Sequence, residues 1–400
     1  MVSRPGTTIK GWVEGYQTRI AGGELGFVPA LIGLVVIWIV CQSLNANFLS
    51  ARNLSNLGVD IVGTGLIAAG IVFVLLVGEI DLSVGSVSGL GAALFAVLNV
   101  QQGVPEWLAF LSAALCGAAI GLVHGFFIAK VGVPAFVVTL AGLLAWNGLM
   151  LFVLGRSGTV NIDDEGMVAM LTSTYFEEVA AAYALAAVGT GLYFLGAWLD
   201  RRRRVAVGLP LRPLNEVLVR TGLLAAVAFA AAYVLNMFQG LPLALLILVV
   251  VLALMDFVVR RTGYGRRVLA LGGGIEAARR VGVRVSTVRI SVFVVSSTMA
   301  SLGGLMLASR ITSASQTSGS GTLLINAIAA AVIGGTSLYG GHGTPWSALL
   351  GMLVIQSVAS GMALLGIQGS VQFMVTGGVL LAAVVVDSLS RRSQQVHGRA

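Results

Sequence analysis

Charge is what this 400-residue chain has least of: Asp, Glu, Lys and Arg together make up 10% of it, against about 25% in soluble domains. With 57% of residues hydrophobic, that shortage excludes both a globular protein solvated by water and an intrinsically disordered chain. Proline is scarce as well, at eight residues, which argues against a Pro-rich flexible chain. There are only two cysteines, Cys41 and Cys116. Both lie in apolar stretches without CxxC or ligand spacing, so neither a disulfide framework nor a metal site is signalled. His124 has no second ligand at i+3 or i+4, which leaves a hydrogen bond between helices as its role. Glycine is abundant, with 53 residues, but shows no triplet period, so collagen is excluded. What remains is an all-α polytopic membrane protein, because a barrel would need polar residues alternating along every strand.

A bilayer core of roughly 30 Å takes about 20 helical residues. Uncharged apolar runs predict spans at 27–44, 58–78, 82–98, 107–129, 135–154, 179–199, 218–236, 242–259, 290–309, 323–338, 345–365 and 371–387. The runs at 82–98 and 323–338 are short and glycine-rich, the mark of half-helices or re-entrant segments, so the expectation is about 10–12 transmembrane helices with broken ones among them. No cleavage site follows 27–44, and that span is read as retained. Twelve spans put both termini on one side. With that side cytoplasmic, the inside segments hold 21 of the 24 basic residues, all but Arg52, Arg156 and Arg310, as the positive-inside rule requires. The layout expected is a cytoplasmic N-terminal segment 1–26, a membrane domain 27–387 and a cytoplasmic tail 388–400. Within the membrane domain lie an outer acidic loop 155–178, an inner Arg-rich loop 200–217 and a cytoplasmic loop 260–289. The net charge of +8 is therefore topological, and no nucleic-acid partner is implied. Trp107, Trp198 and Trp346 read as interfacial anchors.

Within the longest inner loop, IEAARRVGV follows three glycines, and Glu276 can complement a helix N-terminus. That predicts a short amphiphilic helix, either a solvated basic loop or a docking helix for a cytoplasmic partner. No GxxxxGK[ST] is present, so ATP is not bound through a P-loop. Glu79 and Asp81 stand at the inner end of the span 58–78. They are either a proton relay or structural, with Asp81 capping a helix from Leu82 and Ser83 and Ser86 satisfying nearby backbone. Further pathway candidates by residue type are Trp146, Asn147, Asn326 and Gln356, which could equally bridge helices. HGFFIAKVGVPAFVVT (124–139) and SGMALLGIQGSVQFMVT (360–376) align with one gap. They fall on opposite faces, so they are either a chance likeness or an inverted repeat with a pathway between its halves.

GEIDLSVGSVSGL (78–90), VPAFVVTL (133–140), GRRVLALGGGIEAARRVGV (265–283) and INAIAAAVIGGTSLYGGHGT (325–344) follow one another along 27–390. Together they resemble the signatures of permease subunits of bacterial sugar ABC importers, the ribose/xylose/arabinose group. An added acidic outer loop and the stretch RRRRVAVGLPLRP resemble the xylose-transporting members. The resemblance implies a subunit of the bacterial inner membrane that is not an enzyme and holds no cofactor or metal. It implies two permease copies around the pathway, ATP-binding subunits docked beneath and an extracytoplasmic sugar-binding protein. The matching coupling residues are Gly272, Gly273, Glu276, Ala277, Ala278, Arg279 and Gly282. The rival reading is a proton-coupled secondary sugar transporter using Glu79 and Asp81. A membrane enzyme is disfavoured because no nucleophile, base and orienting group come together.

Overall fold

The computed structural model describes residues 27–208 and 214–396. The predicted N-terminal segment 1–26, Arg212 and the last four residues of the tail lie outside them. Among the described residues the chain forms fifteen helices and four short strands. In order, the helices are α1 Val28–Leu44, α2 Ala51–Leu76, α3 Val84–Ala96, α4 Glu106–Phe126, α5 Ala135–Leu154, α6 Met167–Ser173, α7 Val179–Ala206, α8 Leu214–Asn236, α9 Leu243–Arg261, α10 Gly263–Gly273, α11 Ile275–Arg280, α12 Val285–Ile311, α13 Leu323–Ile333, α14 Trp346–Leu364 and α15 Gly369–Val396. Strands β1 Thr159–Asn161 and β4 Ser313–Ser315 pair antiparallel, as do β2 Tyr175–Phe176 and β3 Leu241–Pro242.

Each of the twelve predicted spans coincides with an apolar helix, and nine helical stretches among the described residues are long enough to cross a membrane. Several predicted boundaries move. The Arg-rich loop shrinks, because Arg201 to Arg204 complete the last turns of α7 and α8 begins at Leu214. The tail predicted from 388 continues α15 as far as Val396. The acidic loop 155–178 is structured, carrying β1, α6 and β2. There the Glu106 carboxyl, at the start of α4, accepts from Val168 N–H in the first turn of α6 at 3.2 Å, a cap supplied from another element.

The core is built on α2, which is buried over nearly its whole length and packs antiparallel to α12. Close helix approach explains much of the glycine excess. Gly117, Gly121 and Gly125 recur every fourth residue on α4, where added Cβ atoms would run into α12 at Ser297, Phe293 and Ile290. Small residues at such spacing let backbones meet where lipid offers no hydrophobic drive for association.

Two crossings are broken. Between α2 and α3, residues 77–83 are non-helical, and between β4 and α13 residues 316–322 are turn. The first break enters from the arginine-rich face, where Glu79 meets Arg289 near the start of α12. The second enters from the opposite face, where β4 pairs with β1 in the former acidic loop. Each break completes its crossing with the helix that follows it, so the alternation of faces expected from the charges is kept. The same build occurs twice: a long helix, a break, a helix started within the membrane, then two more helices. The helices α2, α3, α4 and α5 correspond in this way to α12, α13, α14 and α15 in opposite orientation. Within the aligned segments, 124–139 and 360–376, each turn carries a left-handed glycine, Gly132 (φ 87°) and Gly366 (φ 67°).

Candidate functional site: the two helix breaks and the arginine-rich face

The breaks meet inside the protein. A Cβ on Gly85, in the first turn of α3, would stand 2.6 Å from the Gly319 carbonyl, and one on Gly319 would run into the Gly85 carbonyl. Gly319 also has φ +75°, a left-handed conformation that only glycine takes at little cost. Beside this contact opens a cavity of about 250 Å³ lined by Ser88, Gly89, Gly304, Arg310, Ser318 and Ser320, among others. Arg310 is fixed at its rim by Asp60 at 2.9 Å and Asn56 at 3.4 Å.

The break at 77–83 is held by a buried polar chain. Asp81 accepts from Ser83 N–H at 3.0 Å and Ser83 Oγ at 2.6 Å through Oδ1, and from Ser296 Oγ on α12 at 3.0 Å through Oδ2. Trp146 Nε1 on α5 donates to His124 Nε2 at 2.9 Å, and His124 Nδ1 lies 3.5 Å from Ser83 Oγ. Because Nε2 accepts, the ring proton of a neutral imidazole sits on Nδ1 and faces Ser83. Three helices thus converge on the unwound backbone, which is where a membrane tolerates non-helical chain.

Of the sequence-predicted pathway residues, the structure brings Asp81, Ser83 and Trp146 into this one chain. His124 joins them through the interhelical hydrogen bond expected of it. The helix begins at Val84, not Leu82, and Asp81 closes a tight turn on Ser83 instead of capping the first helical turn. Glu79 takes a different partner, Arg289, so the two acids do not form a pair. Asn147, Asn326 and Gln356 are not brought to this site. Asn326, in the first turn of α13, donates to Thr322 Oγ1 at 3.4 Å, and Asn147 and Gln356 are half-buried on α5 and α14. Ser296 and Arg289 escaped the sequence reading, since serine and arginine near a span end carry no motif.

On the arginine-rich face the short helix predicted after the three glycines forms as α11, and a second helix, α10, precedes it. The helix α10 starts at Gly263 with Thr262 as its cap, and the extended Gly274 separates it from the six-residue α11. Glu276 pairs with Arg279 at 3.3 Å on the surface. Glu276, Ala277, Arg279 and Val281 are exposed, whereas Ala278 is buried in the core. Gly272 faces the body of the protein as well. Its absent Cβ would collide with the Leu76 carbonyl at the end of α2 and with Gly341 N, while Gly341 N–H donates to that same carbonyl at 2.9 Å. Gly340 (φ +88°) lies against Gly78 N and the Gly272 carbonyl. Three segments therefore meet backbone to backbone: the end of α10, the entry of the first break and the turn between α13 and α14.

A family model described as "Branched-chain amino acid transport system / permease component" matches residues 53–384. The chain belongs to this family of transport permeases. It is 36% identical to the xylose transport system permease protein of Escherichia coli (strain K12) over 365 residues, 91% of each chain. It is 31% identical to the ribose import permease protein of Bacillus subtilis (strain 168), covering 91% of this permease and 94% of that one. Identity to the L-arabinose transport system permease protein of Escherichia coli (strain K12) is 29%, over 91% of each. No solved structure matches this permease. As a permease with nine membrane-length apolar helices among its described residues, it is a multi-pass membrane protein.

Proposed function

We propose that this permease forms the translocation pathway of an ATP-driven importer of a pentose, xylose foremost, in the bacterial inner membrane, with its arginine-rich face and both termini in the cytoplasm. The observation that carries the reading is the 36% identity along 91% of the chain to a xylose permease, with the backbone junction at Gly272 supplying a route for coupling. ATP hydrolysis belongs to a separate subunit docked on the exposed Glu276, Ala277, Arg279 and Val281. A second permease copy completes the pathway, and an external binding protein delivers the sugar to the opposite face. Movement of α10 and α11 under the ATP-binding subunit passes through Gly272 to Leu76 and Gly341, and so to both broken crossings at once. Ala278 anchors α11 to the body, and the left-handed Gly282 (φ +81°) turns the chain after it.

Proteoliposomes holding the permease with its ATP-binding and sugar-binding partners are expected to take up labelled xylose only with internal ATP. Permease alone under a pH gradient is expected to take up none, and uptake there would overturn the reading. Ala277→Trp, which puts a bulky ring on the exposed face of α11, is expected to lower ATP-driven uptake about 5- to 150-fold, the span of ordinary coupling energies. Thermal unfolding of the isolated permease should stay within about 0.5 kcal/mol of the parent, as for an exposed substitution. Normal assembly and uptake in Ala277→Trp would remove α11 as the docking element.

A further inference from the structure

The hairpin of α7 and α8 belongs to the extended region of the chain, and the function proposed above makes no use of it. Its two helices pack along each other, with the Tyr183 and Phe229 rings stacked at 6.1 Å. The α7 face turned away from α8 carries Leu192, Gly196, Leu199 and Arg203, spaced four, three and four residues apart and so lying in one stripe. On α9, Val250, Leu254, Phe257 and Arg261 repeat that spacing. Leu192, Leu199, Val250, Leu254 and Phe257 are all exposed. Both helices start beside the β2–β3 pair and run the same way, so Gly196 and Arg261 stand at one depth, each about five turns from its helix start. The Arg261 guanidinium crosses to α7: Nη2 is 3.5 Å from where a Gly196 Cβ would be. Two turns further along, Arg203 points from the same stripe, and Arg202 lies 3.8 Å over the Trp198 ring beside it. Nearby acids are already taken, Asp200 by Arg204, Glu216 by Arg220 and Asp256 by Arg260. Among the described residues neither Arg203 nor Arg261 has an acidic partner within 4.0 Å.

We propose that the groove between α7 and α9 is a binding site for an anionic phospholipid of the leaflet on the arginine-rich face. The Arg261 and Arg203 guanidinium groups hold the headgroup phosphate, and the acyl chains lie along the two apolar stripes. Two observations single out this lipid from a general lipid-facing surface. One is the pair of guanidinium groups without carboxylates, which match phosphate oxygens in two-pronged geometry. The other is the approach of Arg261 to α7 at the glycine notch of Gly196, where Nη2 lies 3.5 Å from the position a Cβ would take. A zwitterionic lipid brings a cation of its own beside these guanidinium groups, whereas basic pockets between spans at the interface suit anionic headgroups.

The test is native mass spectrometry of the full-length permease after incorporation into nanodiscs of phosphatidylethanolamine, phosphatidylglycerol and diphosphatidylglycerol, followed by mild delipidation. The parent is expected to retain anionic lipid. Arg203→Gln with Arg261→Gln should lower retention at least fivefold, whereas Arg266→Gln with Arg267→Gln, an equal loss of charge on the same face, should not. Gly196→Leu keeps every charge but fills the notch at a helical site, and should lower retention as strongly as the Arg203, Arg261 pair. Equal retention in all variants, or an equal fall in the Arg266, Arg267 control, overturns the site. So does a disulfide between two copies through Leu254→Cys, which would put a second permease in the groove.

Discussion

Gly272→Ala is expected to lower ATP-driven uptake about 5- to 150-fold, while Gly273→Ala, one residue along, leaves uptake at the parent level. The two glycines share a sequence context but not an environment. A Cβ at 273 meets nothing within 4 Å. A Cβ at 272 overlaps the Leu76 carbonyl and Gly341 N, neither of which can rotate away as a side chain could. The backbone of α10 must withdraw from the junction, breaking its contact with both crossings, at a cost of about 1–3 kcal/mol or more for an overpacked site. Loss of a coupling energy of that size lowers the response about 5- to 150-fold. Uptake by proteoliposomes, with sugar-stimulated ATP hydrolysis recorded alongside, checks it. The expected Gly272→Ala phenotype is retained assembly with the ATP-binding subunit and lowered sugar-dependent uptake. Gly340→Ala approaches the same junction from the other side, where φ is +88° and Gly78 N lies 2.9 Å from the added carbon, and should share the loss. Parent-level uptake in both would separate the junction from coupling.

Much of this architecture was legible because lipid imposes a simple code. Long uncharged runs located every helix of membrane length, and the placement of arginine recovered the alternation of faces. The two short, glycine-rich runs, 82–98 and 323–338, marked the broken crossings, since glycine and short apolar length together are what a half-helix needs. A single alignable segment hinted at the repeat, but its extent depends on helix lengths and opposed directions, which side-chain identity does not carry. The site was legible in part. Asp81 and Ser83 betray themselves as polar groups at membrane depth, whereas Ser296, 215 residues from Asp81 along the chain, is one of several hydroxyls on α12. The coupling segment showed by motif, yet the division between exposed Glu276, Ala277 and Arg279 and inward Gly272 and Ala278 follows from how α10 meets α2. Glycine contacts have no periodicity to read, because each is defined by the backbone opposite. Glu79 and Asp81 looked like a pair by spacing and are separated in the fold by the partners they take.

Asp81→Ala is expected to be the most damaging change in the first break, and Asp81→Asn a mild one. With alanine, three donors lose their acceptor at once: Ser83 N–H, Ser83 Oγ and Ser296 Oγ. All three groups are buried, with Asp81, Ser83 and Ser296 each 0% exposed, so no water replaces the lost contacts without opening the fold. Each unsatisfied buried group costs about 1–3 kcal/mol, and the losses fall on the non-helical segment between α2 and α3. The unwound turn then has nothing to fix the start of α3 against α12, and both the melting temperature and uptake should collapse. Asparagine keeps a carbonyl oxygen for the two Ser83 donors, and its amide can donate to the Ser296 hydroxyl, which turns to accept. A role confined to holding the break therefore predicts near-parent uptake and stability for Asp81→Asn. A proton carrier predicts the reverse, since an amide cannot exchange a proton with the pathway, and uptake would fall as far as in the alanine variant while the melting temperature held. Measuring melting temperature and ATP-driven uptake for the two variants side by side separates these outcomes. Stability and uptake that fall together in alanine and survive together in asparagine make Asp81 the acceptor that keeps a broken helix in place.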